Sequence, residues 1–289
     1  MRLGFGFGLQ YSKLSGGGFE GILNQFPGAS LGLSLRLLDI NYTGFCIKVR
    51  RSSDNNELDI GFVNNELDTA SLLTFVGSGD AFVSIWYGQD GNNNNAMQTV
   101  SVSQPKIVSN GSLILENGKP TIFFDGVDDF FYTDNYSVEL SANDAQTFVV
   151  NTPFSEEGGS TCFVESDQIS PYSSNFILGS ARGDRTLWVN TTLFGSAQVN
   201  AQQVFGFEKT GGPGTGSKNF QAYKNGATDG NSGNATVKQE VYNKSSIGAT
   251  TDGTSTVFKG NIQSVIAYKN TSNTYLEVMS KINEYYSTY

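Results

Sequence analysis

The chain contains no histidine. That single fact removes Ser-His-Asp triads, Cys-His pairs, histidine-built zinc sites and histidine pH switching from its chemistry. Oxygen ligands and ring faces remain. Asp125, Asp128 and Asp129, in Phe124-Asp125-Gly126-Val127-Asp128-Asp129-Phe130, form a candidate Ca2+ cluster, because calcium takes clustered oxygen ligands. The competing reading is a tight Asp-Gly turn with two solvated acids. Trp86, Tyr87, Gln89 and Asp90 combine ring faces with amide and carboxylate groups. Such a set can stack on a sugar ring and bond its hydroxyls; an aromatic that ends a buried strand is otherwise core. Glu165 and Asp167 follow Cys162 and read as solvated loop charge. No matching carboxylate pair is visible, so the set of catalytic residues read from the sequence is empty.

Strands must position these groups. Residues 82–87 alternate in the manner of a strand and run into a Gly/Asn turn at 88–95. Residues 45–50 alternate too. Asn117-Gly118 and Asn225-Gly226, each between apolar runs, signal two-residue hairpins. Further strands are expected at 112–115, 121–124, 147–150, 175–178, 186–189, 204–208, 220–223 and 262–268. Residues 67–75 read as a short helix with Asp68 as N-cap, and residues 30–38 as one or two helical turns. At the C-terminus Thr274 and Glu277 have capping-box spacing. Tyr275, Val278, Met279, Ile282, Tyr285 and Tyr286 then follow a helical stripe. The expected fold is an all-β sandwich over 31–289 with a short C-terminal helix at 274–287.

Composition narrows the partners. Charged residues are 16% of the chain, aromatics 12%, and the net charge is −9. The one basic run, Lys48, Arg50 and Arg51, is followed by Asp54 and Glu57. Nucleic acid and anionic membranes need a clustered basic face, and both are expected to be excluded. Neither a signal peptide nor a membrane segment is read at the N-terminus. Cys46 and Cys162 are expected to be reduced core thiols. Residues 211–218 are Gly-rich, but their spacing and Pro213 argue for a surface turn rather than a phosphate loop. Leu3, Phe5, Phe7 and Leu9 alternate with glycine. This pattern fits an extended segment, residues 1–30, that adds a strand to a neighbour's sheet edge within an oligomeric assembly.

Several segments in order resemble a known group: Leu35-Arg36-Leu37-Leu38, Tyr42-Thr43-Gly44, Val49-Arg50-Arg51-Ser52-Ser53-Asp54, Ile60-Gly61-Phe62, and Phe82-Val83 through Trp86-Tyr87-Gly88-Gln89-Asp90-Gly91-Asn92. Gly118-Lys119-Pro120, the Phe124-Asp125-Gly126 turn, the 258–263 strand and Ile282-Asn283 with Tyr285-Tyr286 continue the likeness. Together they resemble the catalytic module of B-type α-L-arabinofuranosidases, and more closely the laminin-G-like domains of bacteriophage virion proteins. The resemblance implies a concanavalin-A-like jelly-roll sandwich. In the arabinofuranosidases it implies a retaining carboxylate pair. Here the family's Tyr-Asp-Gln-Ser-Gly turn reads Tyr87-Gly88-Gln89-Asp90-Gly91, and Ser217-Lys218-Asn219 stands where an acid/base Asp is expected. Cys162-Phe163-Val164-Glu165 echoes the stretch before the nucleophile. The expectation is therefore a non-catalytic virion protein (head decoration, head fibre or tail-associated). It would dock on other virion proteins through residues 1–30 and display a lectin-like sandwich. The alternatives are a module for host surface glycans and a glycoside hydrolase of arabinofuranosidase type.

Overall fold

The computed structural model describes residues 19–133, 144–154, 160–165, 176–181, 185–189, 192–194, 200–214, 216–230, 232–237, 245–249, 257–269 and 273–289. Between 155 and 199, and at Val237, it describes the backbone alone. The strands pair antiparallel in two layers. In one layer Ala29–Ser34 and Ile122–Asp125 share an edge of Lys259–Lys269. Ala145–Pro153, Gln203–Thr210, Gly216–Lys224 and Gly233–Val237 follow in turn. The second layer begins Glu57–Ile60, Ile47–Arg51, Ala81–Trp86, Ala96–Met97, Phe131–Thr133 and Ser245–Ile247. It continues through Ser160–Glu165 to Phe176–Ala181, Arg185–Val189 and Thr192–Phe194. Lys106–Ser109 pairs with Ala81–Trp86 and, through Lys106, with Phe123, which ties the layers together. The fold is the all-β sandwich expected from the sequence.

Between the layers lie Trp86, Phe124, Phe131, Phe205, Phe207 and Phe220, all essentially buried. Phe124 meets Phe131 and Phe258 edge-on at 5.8 Å, the geometry that aromatic quadrupoles favour. Ala145–Pro153 is buried along its whole length. Val149 faces this core, while Phe148 and Val150 join a second apolar cluster.

That second cluster lies under the C-terminal helix Tyr275–Tyr286. Tyr275, Val278, Met279, Ile282 and Tyr286 are buried, the one-faced spacing of an amphipathic helix. Tyr275 stacks between Phe148 at 4.3 Å and Tyr223 at 4.1 Å, and its hydroxyl donates to Thr147 O at 2.8 Å. The expected capping box does not form: the Thr274 side chain makes no cap bond. Packing, rather than the cap, holds this helix. Among the described residues no helix is long and apolar enough to cross a membrane.

Local signals translate directly in several places. Thr69–Val76 is helical, and Asp68 accepts from Ser71 N at 3.0 Å. Asn117-Gly118 and Asn225-Gly226 take positive φ at both residues, as tight hairpin turns require. Cys46 is a free thiol in the core, and burial pushes its pKa well above the usual range.

Two expectations need correction. Residues 30–38 are not helical: Ala29–Ser34 is a strand, with Leu31, Leu33 and Leu35 buried in period-two alternation. The sandwich also begins before residue 31. Ile22–Gln25 forms a helical turn, Leu23 is buried in the cluster beneath the C-terminal helix, and Ala29 pairs with Tyr268. The end of the expected extended segment is therefore part of the domain. Leu3, Phe5, Phe7 and Leu9 lie outside the described residues.

Gly206 lets the C-terminal helix approach its sheet. A Cβ there would sit 1.8 Å from Thr147 O and 2.4 Å from the Tyr275 hydroxyl. Gly206→Ala is expected to destabilise the chain by roughly 1–3 kcal/mol through overpacking. A urea titration followed by tryptophan fluorescence measures this, and an unchanged midpoint would show that the helix docks less tightly than described.

Candidate functional site

A recess of about 510 Å3 opens where the turn at 39–45 meets the turn at 88–95. Tyr42, Phe45 and Tyr87 line one side, and Asn41, Thr43, Asn93 and Asn95 bring polar groups to it, with Asp39 on the wall. Each ring is held. The Tyr42 hydroxyl donates to Phe45 O at 2.8 Å, and the ring lies edge-on to Phe62 at 6.2 Å. A Cβ at Gly44 would lie 2.4 Å from that hydroxyl, so glycine lets the tyrosine fold back over its own turn. The Tyr87 hydroxyl donates to Asp59 Oδ1 at 2.6 Å, and its ring stands 6.1 Å from Phe45. Burial pushes the Tyr42 hydroxyl up to about 12, and raises that of Tyr87 with help from the Asp59 carboxylate. Both phenols are therefore neutral across the physiological range.

The polar groups divide into those bonded within the protein and those left open. Gln89 is buried; its Oε1 accepts from Leu38 N, and its Nε2 donates to Ser34 O and Arg36 O. Asp90 Oδ1 accepts from Asn92 N and from Asn94 Nδ2, while Asn94 also donates to Ser30 O. Burial raises the Asp90 carboxyl. These residues clamp the 88–95 turn onto Ala29–Ser34. Asp39 Oδ1 accepts from Asn24 Nδ2, Asn41 N and Asn41 Nδ2. Burial alone would raise this carboxyl, but the Asn41 and Asn24 donors outweigh it and hold it below the usual range. No described residue bonds Asp39 Oδ2, the Thr43 hydroxyl or the Asn93 side-chain amide.

Of the four expected sugar contacts, Tyr87 and Gln89 line the recess and Asp90 braces its turn. Trp86 does not reach it: the indole is fully buried 6.4 Å from Phe131. Successive residues of a strand point to opposite faces, so Trp86 and Tyr87 cannot both face a ligand. Sequence reasoning missed Thr43, Phe45 and Asn93 as lining residues, because they come from turns that meet only in the fold.

The other expected sites are also placed. The carboxylates of Asp125, Asp128 and Asp129 come within 4.8 Å of one another. Their oxygens serve the turn: Asp125 Oδ1 takes Val127 N at 2.7 Å, Asp129 Oδ2 takes Asp125 N at 2.9 Å, and Asp128 Oδ2 takes the Ser103 hydroxyl at 3.3 Å. Lys218 donates to Gly211 O and Pro213 O, and Lys209 to Gly212 O. The Gly-rich loop thus turns carbonyls toward two ammonium groups, whereas a phosphate cradle presents N–H groups. Glu165 ends its strand in a continuous row of paired residues: Trp86 opposite Ala96, Ala96 opposite Thr133, Thr133 opposite Ser245, and Ser245 opposite Glu165.

No family model matches the chain, and no curated protein matches it in sequence. Solved structures do match. A GH54 α-L-arabinofuranosidase soaked with a cyclic sulfate inhibitor has a TM-score of 0.65 at 14% identity, over 91% of this chain and 63% of that one. An arabinofuranosidase complexed with arabinofuranosyl-α-1,2-xylobiose has a TM-score of 0.66 at 13% identity, over 93% and 64%. A glutamate-to-glutamine variant of a GH54 enzyme soaked with 4-nitrophenyl α-L-arabinofuranoside has a TM-score of 0.63 at 13% identity, over 91% and 63%. The chain spans a little under two-thirds of the length of these enzymes. These matches run against the expectation of a non-catalytic virion module: over nine-tenths of its length the chain has the fold seen in arabinofuranosidase structures. None of the three is a virion protein.

Asp129 gives the molecule a pH dependence. Burial, with Asp125 and Asp128 close by, raises its carboxyl from 3.8 to about 7. Between these values the folded state binds more protons than the unfolded state, so stability falls as pH rises through that window. The loss is on the order of 4 kcal/mol and complete above the folded pKa. Asp129→Asn, which keeps an acceptor for Asp125 N, is expected to flatten the dependence and raise Tm at pH 8. Calorimetry at pH 5 and pH 8 checks this; identical slopes for variant and wild type would disprove it.

Proposed function

We propose that the chain is a glycoside hydrolase of arabinofuranosidase type, acting on glycans that carry α-L-arabinofuranosyl groups. The observation that carries this reading is the likeness of its fold to α-L-arabinofuranosidases over nine-tenths of its length. A fold does not by itself specify chemistry, so the reading depends on carboxylates. Retaining hydrolysis places one carboxylate to attack the anomeric carbon. A second carboxyl protonates the leaving oxygen and later deprotonates water, and the two stand about 5–5.5 Å apart. This chemistry needs no histidine, which suits the composition. Glu165, at the end of its strand and following the Cys162-Phe163-Val164 stretch, is our first candidate for the nucleophile, and Asp167 our first candidate for its partner.

Release of nitrophenol from 4-nitrophenyl α-L-arabinofuranoside, and of arabinose from arabinofuranosyl-α-1,2-xylobiose, tests the reading. Wild type is expected to cleave both. Glu165→Gln and Asp167→Asn are each expected to lower kcat by more than about a hundredfold. Wild type that cleaves neither substrate would overturn the hydrolase reading. A fully active Glu165→Gln would move the nucleophile to another carboxylate.

A further inference from the structure

We infer that the recess between the turns at 39–45 and 88–95 is a binding site for a neutral saccharide. Its chemistry points to that class from three sides. The first is the ring pair. Phe45 is 49% exposed and stands 6.1 Å from Tyr87, whose orientation the Asp59 bond fixes. An exposed ring on a polar turn, held against a second ring, offers an apolar face to the C–H side of a sugar.

The second is the set of open hydrogen-bonding groups. Asp39 Oδ2, the Thr43 hydroxyl and the Asn93 amide have no partner among the described residues, whereas Gln89 beneath them is fully bonded. Asn93 is fixed by its left-handed backbone, φ 57°. A carboxylate oxygen accepts from hydroxyls, an amide does both, and a hydroxyl adapts. Such a mixture suits a polyol better than an apolar ligand or a peptide backbone.

The third is charge. No lysine or arginine lines the recess, and Asp39 is held ionised on its wall. The nearby Lys48 is paired with Asp59 at 3.7 Å. An anionic sugar would meet a carboxylate with no compensating cation, so uronates are excluded and neutral sugars admitted. At about 510 Å3 the recess is of the size that holds one or two sugar rings.

The test is calorimetric titration of the full chain with arabinotriose, xylotriose and trigalacturonate, with saturation-transfer NMR as a second readout. At least one neutral trisaccharide is expected to bind, with a Kd of about 0.1–10 mM. Trigalacturonate is expected not to bind. Phe45→Ala should weaken binding roughly fivefold to tenfold, and Thr43→Val by a similar factor. Both side chains are exposed, and Thr43→Val keeps its shape, so this variant still reports if Phe45→Ala fails to fold. Absence of neutral-sugar binding, equal affinity for trigalacturonate, or unchanged affinity in the folded variants would each overturn the inference. The site does not rest on hydrolysis. A chain that binds without cleaving keeps it and loses the hydrolase reading; a chain that cleaves while its recess binds nothing does the reverse.

Discussion

Two neighbouring strands, Ala145–Pro153 and Lys259–Lys269, are buried on both faces nearly end to end. This requirement organises the rest of the molecule. A strand alternates its side chains, so a strand apolar on both faces needs a cover on each. The second β layer covers one face through Val149 and Val265, and the C-terminal helix covers the other through Phe148, Val150 and Ile266. At roughly 25 cal/mol per Å2 of apolar surface, exposing either face would cost far more than any single bond described above. The helix is therefore as much a part of the core as the strands. Its missing cap bond at Thr274 is tolerated because packing stabilises it, and Gly206 is needed because its rings must come close to the sheet.

The recess depends on the same arrangement. Ala29–Ser34 pairs with Lys259–Lys269, and the 88–95 turn is fastened to Ala29–Ser34 by Gln89 N to Gly32 O and by Asn94 to Ser30 O. Gln89 adds three bonds to the chain between Ser34 and Leu38, which leads straight into the Asp39 turn. Both walls are thus suspended from one strand whose position the core fixes. A buried amide with every polar group satisfied positions its surroundings without itself offering a bond to a ligand. Functional groups and supporting groups alternate along the same short segment: Tyr87 and Asn93 face the opening, while Gln89, Asp90 and Asn94 hold it.

The sequence revealed whatever was decided locally. The hairpins at Asn117-Gly118 and Asn225-Gly226, the cap at Asp68 and the stripe from Tyr275 to Tyr286 each depend on a few adjacent residues. Residues 30–38 misled because Leu31, Leu33, Leu35, Leu37 and Leu38 satisfy both a strand and a helical period. Pairing with Tyr268, Ala267 and Val265, more than two hundred residues away, decides between them. The site was half legible for a related reason. Tyr87 and Gln89 stand out in a short aromatic and amide motif. The alternation that makes the strand also sends Trp86 inward, so the motif could not serve as one surface. Thr43 and Phe45 carried no signal of their own, because only the fold brings their turn to the other.

The strand row running from Trp86 to Glu165 sets the distance between the two proposed sites. Four pairings separate the two residues, through Ala96, Thr133 and Ser245. At about 4.8 Å per strand this is roughly 19 Å across the layer. Tyr87 follows Trp86 directly, so the recess and Glu165 stand four strands apart in one layer. A carboxylate pair for retaining hydrolysis spans about 5–5.5 Å, far less than this row, so a nucleophile at Glu165 needs its partner close to Glu165. The two proposals therefore require different residues on different strands of the layer. A saccharide held in the recess would act on catalysis through the length of the glycan it belongs to, by raising the local concentration of the chain's remote units, rather than through the reacting bond. Such coupling would favour glycans long enough to span this row over small aryl glycosides, which reach one site alone.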